Sequence, residues 1–368
     1  MTPQFSAYLD LLRLLAALAV LLSHANSRAL IDHSILPQSF GHNAVVVFFL
    51  LSGYVIAYVA DVKEKTASSY WVSRFARIYS VALPALALTL LCDLVGAALN
   101  PGFYAGNLTT HDHWLLRLAA SLSFSNELWF VSIMPFSNSP YWSLCYEMSY
   151  YLLFSIWAYA PAARRGLYLM LAALLIGPKI LILAPIWALG VVLYRWRAAQ
   201  ALASAPGALL WLASVAGIVA FQTLDLSKSL SAWTAAQLSP WLYLNLNFSK
   251  HFLGDYLLAL LIAANFIGFR ALVRDGASGL GALMQRLHKP IALAAGFTFS
   301  IYLFHLPLLH FFTAVLEGST AGYGRYLTVV GLALAASVLL GSVTETQKTP
   351  LKRWLERQLL PRLQRWRG

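Results

Sequence analysis

Charged residues and cysteines are scarce in this chain of 368 residues. Only 11% of the residues are charged, whereas 60% are hydrophobic and the mean hydropathy is +0.66. This composition excludes an ordinary soluble domain, in which about a quarter of the residues are charged, and it indicates an integral membrane protein. Cys92 and Cys145 are the two cysteines, and both fall in apolar segments. Neither a disulfide framework nor a thiolate zinc site is therefore expected.

Familiar motifs of metal and nucleotide chemistry are also missing. The sequence contains no HExxH, Walker A, GxGxxG or CxxC pattern, so we expect no metal site and no nucleotide-binding fold. The net charge of +12 comes from basic residues at the ends of apolar segments. That placement suits membrane orientation better than nucleic-acid binding, and the lipid bilayer is the expected partner.

Ten apolar segments can cross a bilayer, at about 20 residues per span. They lack the period-two alternation of barrel strands, which predicts an all-α polytopic bundle of about ten transmembrane helices. We assign 1–346 to this transmembrane domain and 347–368 to a basic amphipathic tail along anionic cytoplasmic lipid. The segment 166–177 is the shortest, and it ends at Gly177-Pro178. The ten segments are 8–25, 43–60, 78–98, 141–160, 166–177, 179–196, 207–224, 252–273, 291–316 and 325–345.

Lysine and arginine accumulate in alternate loops. Because such residues favour the cytoplasmic side, this pattern predicts that both termini are cytoplasmic. The opposite loops, 100–140 and 225–251, are rich in Trp, Asn, Ser and Tyr and contain few cations. We expect them to face outward, where they can receive a polar ligand.

The first span carries three ionisable residues, Asp10, Arg13 and His24. Arg13 and His24 are eleven positions apart, which places them on one helix face about 16 Å apart along the axis. Asp10 precedes Arg13 by one turn and can neutralise it. Each residue alone can be explained by an interfacial position, but the shared face favours a functional stripe, with His24 at its outer end.

Two further segments are of interest, one for two adjacent small residues and the other for two closely spaced basic residues. Ser52-Gly53 in the second span indicates close helix packing. Arg74 and Arg77 are spaced i, i+3 before the third span, where they can clamp phosphates or act as ordinary positive-inside anchors.

Glu147 and His305 are ionisable groups inside the fourth and ninth predicted spans. Tyr151 follows Glu147 by one turn and Tyr302 precedes His305 by almost one turn, so each pair shares a helix side. A structural ion pair can explain Glu147 and packing can explain His305, but ionisable groups within spans favour function. An inventory of His, Glu, Arg and Tyr suits acyl transfer by general base catalysis. A secondary transporter or flippase is the main alternative, although no related halves are visible, and a structural or signalling protein ranks last.

Six stretches, in order along nearly the whole chain, resemble the acyltransferase 3 family of membrane-bound O-acyltransferases that modify bacterial saccharides. The WSL-YEM form is similar to members that acylate exopolysaccharide. The stretches are LDLLRLLAALAVLLSH, VVVFFLLSGYVIA, SRFARIY, YWSLCYEMSYYLLF, FTFSIYLFHLPLL and TETQKTPLKRWL.

The resemblance implies a role for each matching position. His24 corresponds to the family's essential histidine, and we expect it to act as the general base. Arg13 corresponds to the arginine of the same motif, and we expect the acyl-CoA arm to bind there on its way to His24. Arg74 and Arg77 correspond to the pair assigned to the acyl-CoA phosphates. Glu147 and His305 match recurrent polar positions, and Glu147 either orients the imidazole or holds the acceptor sugar.

The same resemblance implies a reaction and a location. Acyl-CoA, commonly acetyl-CoA, is a co-substrate and no cofactor is permanently bound. The acceptor is a saccharide or glycolipid outside a bacterial inner membrane, reached by direct transfer or through an acyl-histidine. The chain matches the stand-alone membrane unit of the family, and the acceptor sugar and the oligomeric state stay open.

Overall fold

A computed structural model describes residues 1–26, 35–36, 39–107, 112–274, 278–316 and 322–365. Within those ranges the chain forms seventeen α-helices and no β-strand. In order they are α1 (Pro3–Asn26), α2 (Ser39–Val62), α3 (Ala67–Leu99), α4 (Pro101–Asn107), α5 (Trp114–Leu122), α6 (Trp142–Tyr159), α7 (Ala162–Ile176), α8 (Pro178–Arg195), α9 (Arg197–Gln200), α10 (Ser204–Thr223), α11 (Leu226–Gln237), α12 (Pro240–Asn245), α13 (Phe252–Leu272), α14 (Gly279–Ala295), α15 (Thr298–Val315), α16 (Tyr323–Thr344) and α17 (Lys348–Arg365).

The predicted all-α polytopic membrane fold is confirmed. Each of the ten predicted spans contains one long helix, namely α1, α2, α3, α6, α7, α8, α10, α13, α15 and α16. Among the described residues, eight helices are long and apolar enough to cross a membrane. The other two are α7, which has only 15 residues, and α6, whose Glu147, serines and tyrosines make it more polar.

The third predicted span begins earlier than expected. Residue 78 was its predicted start, but α3 begins at Ala67, because Thr66 forms a reciprocal capping box with Ser69. Arg74 and Arg77 therefore lie inside the helix, not in a segment leading to it. Their backbone positions are consequently fixed relative to the bundle.

The predicted start of the ninth span, 291–316, is wrong because the helix is interrupted there. α14 ends at Ala295 and α15 begins at Thr298. The carbonyl of Ala295 accepts hydrogen bonds from Arg13 (3.2 Å) and from Thr298 (2.8 Å). Contacts of Gln4 with Gln285 and of His24 with His305 show that α14 and α15 run parallel to α1 on both sides of the break.

The helices α2 and α8 cross with their backbones in contact. A Cβ atom on Gly53 would lie 2.0 Å from the carbonyl oxygen of Trp187, and one on Gly190 would lie 2.1 Å from that of Leu50. The close packing predicted from Ser52-Gly53 is thus confirmed. It brings Ser52 of α2 beside Trp187 of α8, whose indole donates to the serine hydroxyl (3.2 Å).

We expect Gly53→Ala to destabilise the protein by about 1–3 kcal/mol, because the added methyl overpacks a backbone contact. The measurement is the midpoint of thermal unfolding in detergent. Gly331→Ala is the matched control, since a Cβ on Gly331 meets nothing within 4 Å. Equal midpoints for the two variants would contradict the packing argument.

Candidate active site

A cavity with both apolar and ionisable walls lies between α1, α2, α3, α6 and α15. We call it the inner cavity because it lies near the predicted cytoplasmic end of α1. Its lining includes both apolar side chains, such as Phe48 and Phe49, and ionisable ones. The ionisable and hydrogen-bonding groups include Asp10, Arg13, Ser52, Arg77, Glu147, Tyr151 and Tyr302. Seven predicted site residues from separate parts of the chain are therefore brought to one place.

The three arginines predicted to bind the co-substrate have different environments. Arg13 bonds Asp10 at 2.9 Å, as their i, i+3 spacing predicts, and it also bonds the carbonyl of Ala295 at the helix break. Arg74 is buried and bonds Glu64 at 2.7 Å, and it does not line the inner cavity. Arg77 lines the cavity, and no hydrogen bond joins its guanidinium to any residue that the structure describes. Arg77 is thus the arginine best placed to receive an anion, and phosphate binding by Arg74 stays a prediction.

Glu147 is held by hydroxyl groups on the wall of the inner cavity. Ser52 donates to one carboxylate oxygen at 2.8 Å, and Tyr151, one turn along α6, donates to the same oxygen. These bonds offset the cost of desolvating the carboxylate. They also fix the direction of Glu147 toward Ser52 and Tyr151.

A second cavity, the outer cavity, lies toward the far end of α1. It shares Val45 and Tyr302 with the inner cavity. Its other lining residues include Ser23, His24, His42, Ser139, Trp142 and Phe248. The two cavities therefore lie end to end beside α1, with Arg13 in one and His24 in the other.

Hydrogen bonding defines the proton positions on His24 and His305. Nδ1 of His305 lies 3.0 Å from the carbonyl oxygen of Ile301, and a carbonyl only accepts, so this nitrogen carries the proton. In the neutral ring Nε2 must then accept, and it lies 2.9 Å from Nδ1 of His24, which donates. This assignment leaves the lone pair of neutral His24 on Nε2. Among the described residues, His305 hydrogen-bonds the His24 imidazole, whereas Glu147 bonds Ser52 and Tyr151.

A proline and the loop before α6 stabilise this part of α15. Pro307 has no N–H, so the carbonyl of Leu303, four residues earlier, has no helical donor. The amide of Asn138 donates to that carbonyl at 2.9 Å. Tyr302 similarly donates to the carbonyl of Pro140 (3.0 Å). The helix that carries His305 is thus fixed to the start of α6.

Comparison with known proteins assigns this arrangement to a family. The model of the acyltransferase domain matches residues 6–343, which includes nearly all of the ten long helices in the predicted spans. The chain belongs to the acyltransferase 3 family. Acyltransferase MdmB of Streptomyces mycarofaciens is a relative, 31% identical over 152 residues. That match covers 40% of this chain and 37% of the relative. No solved structure matches the chain. Together with the candidate membrane-spanning helices, the match identifies a multi-pass membrane protein of an acyltransferase family.

Two acid–base pairs in the structure were not predicted from the sequence. His42 bonds Asp255, and Lys179 forms an ion pair with Glu127. Asp255 lies in the otherwise apolar run FLGDYLLALL and Lys179 begins another span, so each is a charge that needs a partner. That signal was present, but nothing in the sequence shows which partners are adjacent.

Proposed function

We propose that this membrane acyltransferase transfers an acyl group, commonly acetyl, from cytosolic acyl-CoA to a hydroxyl of a saccharide or glycolipid outside a bacterial inner membrane. The observation that supports this most is the end-to-end arrangement of the two cavities. Arg77 and Arg13 line the inner one, His24 lines the outer one, and Tyr302 lines both. An acyl chain entering past the arginines reaches the imidazole without leaving the bundle.

The inner cavity suits the pantetheine arm and phosphates of acyl-CoA. Phosphate groups prefer arginine, whose planar guanidinium donates two parallel hydrogen bonds. Arg77 supplies this group, and Arg13, held by Asp10, adds a second positive charge on the route to His24. Apolar side chains such as Phe48 and Val55 supply the remaining wall, as expected of a site for a mostly apolar arm.

The outer cavity suits the transfer step. Nε2 of His24 takes the proton of the acceptor hydroxyl, and the oxygen attacks the thioester carbonyl carbon as the new C–O bond forms. The C–S bond then breaks, and the CoA thiolate takes the proton from the His24 imidazolium. His305 stabilises that imidazolium by accepting from its Nδ1–H. The products are the acyl ester and CoA, with His24 neutral again.

We expect Arg77→Ala to raise the KM for acetyl-CoA by about tenfold to a hundredfold, since a charge-assisted hydrogen bond contributes about 1.5–3 kcal/mol. Steady-state CoA release at saturating acceptor measures this effect. Arg286→Ala removes an exposed arginine of α14 and is the matched control. A KM for acetyl-CoA equal to that of the control would exclude Arg77 from donor binding.

The reaction itself is tested with purified protein, acetyl-CoA labelled in the acetyl group and polysaccharide stripped of its esters by mild alkali. We expect the label to appear on the polysaccharide in equal amount to the CoA released. A transporter would instead move substrate across proteoliposomes without releasing CoA. That result would contradict the proposed activity.

A further inference from the structure

A second histidine lines the outer cavity together with His24. His42 lies in the first turn of α2, and its Nε2 is 2.9 and 3.0 Å from the two carboxylate oxygens of Asp255. The side chain of Asp255, in the first turn of α13, is 1% exposed, whereas the side chain of His42 is 19% exposed. One end of the imidazole is therefore fixed by a buried carboxylate while the ring borders the cavity.

The contact with Asp255 determines which nitrogen of His42 faces other partners. A carboxylate accepts hydrogen bonds, so Nε2 carries a proton and donates it. In the neutral ring the lone pair is then on Nδ1. Among the residues that the structure describes, none hydrogen-bonds this Nδ1. In its neutral form the dyad thus presents an oriented hydrogen-bond acceptor that no described residue uses.

The surroundings of His42 combine aromatic and hydroxyl groups. The rings of Trp142 and Phe248 are parallel, with centroids 4.4 Å apart, and both line the outer cavity. Ser23 and Ser139 also line it. A few polar groups set among aromatic walls are typical of a small-molecule site, and this combination suits a ligand with several hydroxyls and apolar C–H faces.

We propose that His42, positioned by Asp255, binds a second hydroxyl of the acceptor beside the one that His24 deprotonates. This inference rests on the proposed function and narrows it to acceptors with at least two nearby hydroxyls, as on a sugar ring. His24 and His42 divide the work: His24 accepts the proton that leaves during transfer, and His42 accepts a hydrogen bond from a hydroxyl that stays intact. Asp255 is a positioning residue that acts through His42.

The test measures CoA release against alkali-treated polysaccharide for His42→Gln. The glutamine amide can still donate to Asp255, but the acceptor at Nδ1 is lost. We expect the KM for polysaccharide to rise about tenfold or more, the cost of one hydrogen bond to a buried group, while the KM for acetyl-CoA changes less than about twofold. Asp255→Asn, which retains the shape but weakens the orientation of His42, should give a smaller rise in the same KM. His113→Gln, at an exposed histidine before α5, is the matched control.

Each result decides the question. A selective rise in the KM for polysaccharide, in either variant, supports the inference. If neither variant changes the KM for polysaccharide, His42 is not an acceptor-binding residue. The same conclusion follows if the KM for polysaccharide and the KM for acetyl-CoA rise together. If His42→Gln unfolds, as judged by its elution and thermal midpoint, the Asp255→Asn values decide alone. Wild-type protein that releases no CoA with polysaccharide would contradict the proposed activity, and this inference with it, so the two failures are distinguishable.

Discussion

Replacing His24 by alanine lowers the rate of acyl transfer by about 10²–10⁴-fold, the usual contribution of a positioned general base. The expected loss is in kcat, because the imidazole acts on the proton that moves in the transition state. The KM for acetyl-CoA should change little, since we propose that the donor phosphates bind in the inner cavity. Label transfer from acetyl-CoA to alkali-treated polysaccharide measures the effect.

The control for this variant is His113→Ala, which removes an exposed histidine outside both cavities. Both variants should insert in the membrane and elute as the wild type does. Because His24 is only half-buried and lies near the end of α1, its truncation should leave the fold intact. Transfer by His24→Ala at the rate of the control would remove His24 from the mechanism.

Replacing Lys179 by methionine destabilises the protein by about 3–5 kcal/mol, the cost of leaving a buried charge without its partner. The Lys179 and Glu127 side chains are both 0% exposed and form an ion pair. Lys179 also donates to the carbonyl of Val131. The loop before α6 and the start of α8 are therefore joined by this one ammonium group. Thermal unfolding in detergent measures the loss.

The double variant Lys179→Met, Glu127→Leu is the informative comparison. It removes both charges, so no unpaired charge is left, and replacing a buried pair by apolar residues is often nearly neutral. We expect the double variant to be more stable than Lys179→Met alone. If the double variant loses as much stability as Lys179→Met and Glu127→Leu lose together when measured singly, the two residues do not act as a pair.

The pair also bears on the outer cavity through a chain of hydrogen bonds. The backbone carbonyl of Lys179 accepts from Ser249, whose hydroxyl also bonds Tyr146 at 2.9 Å. Ser249 follows Phe248, and Tyr146 lies one turn after Trp142 on α6. The aromatic wall of the outer cavity is therefore supported from behind by the start of α8.

The helices were predictable because lipid leaves a long apolar segment almost no alternative to a helix. Each predicted span contains a helix, and the i, i+3 pairing of Asp10 with Arg13 follows from helix geometry alone. The break between α14 and α15 was not predictable in this way. The segment 291–297, IALAAGF, is apolar throughout. One of the two donors to the Ala295 carbonyl is Thr298, close by, but the other is Arg13, far away in sequence.

The partners of the candidate site residues were the hardest part to predict. His24 and His305 were both expected to matter, but only the parallel course of α15 and α1 brings them together. Arg74 and Arg77 are equivalent in sequence, yet Glu64 binds one and not the other. His42 and Asp255 come from helices that the chain order does not place side by side. Local patterns specify helices and their polar faces, whereas helix adjacency depends on the packing of the whole bundle.

We propose that one bundle carries an acyl group from acyl-CoA on the arginine-rich side to an acceptor on the other side. The most direct measurement uses sealed proteoliposomes, with labelled acetyl-CoA outside and alkali-treated polysaccharide trapped inside. Protease digestion of a tag after α17 measures the fraction of protein molecules whose C-terminus faces the acetyl-CoA. We predict that the label reaches the trapped polysaccharide in proportion to that fraction and that His24→Ala abolishes it. Labelling only when donor and acceptor share one side of the membrane would contradict acyl transfer across the bundle.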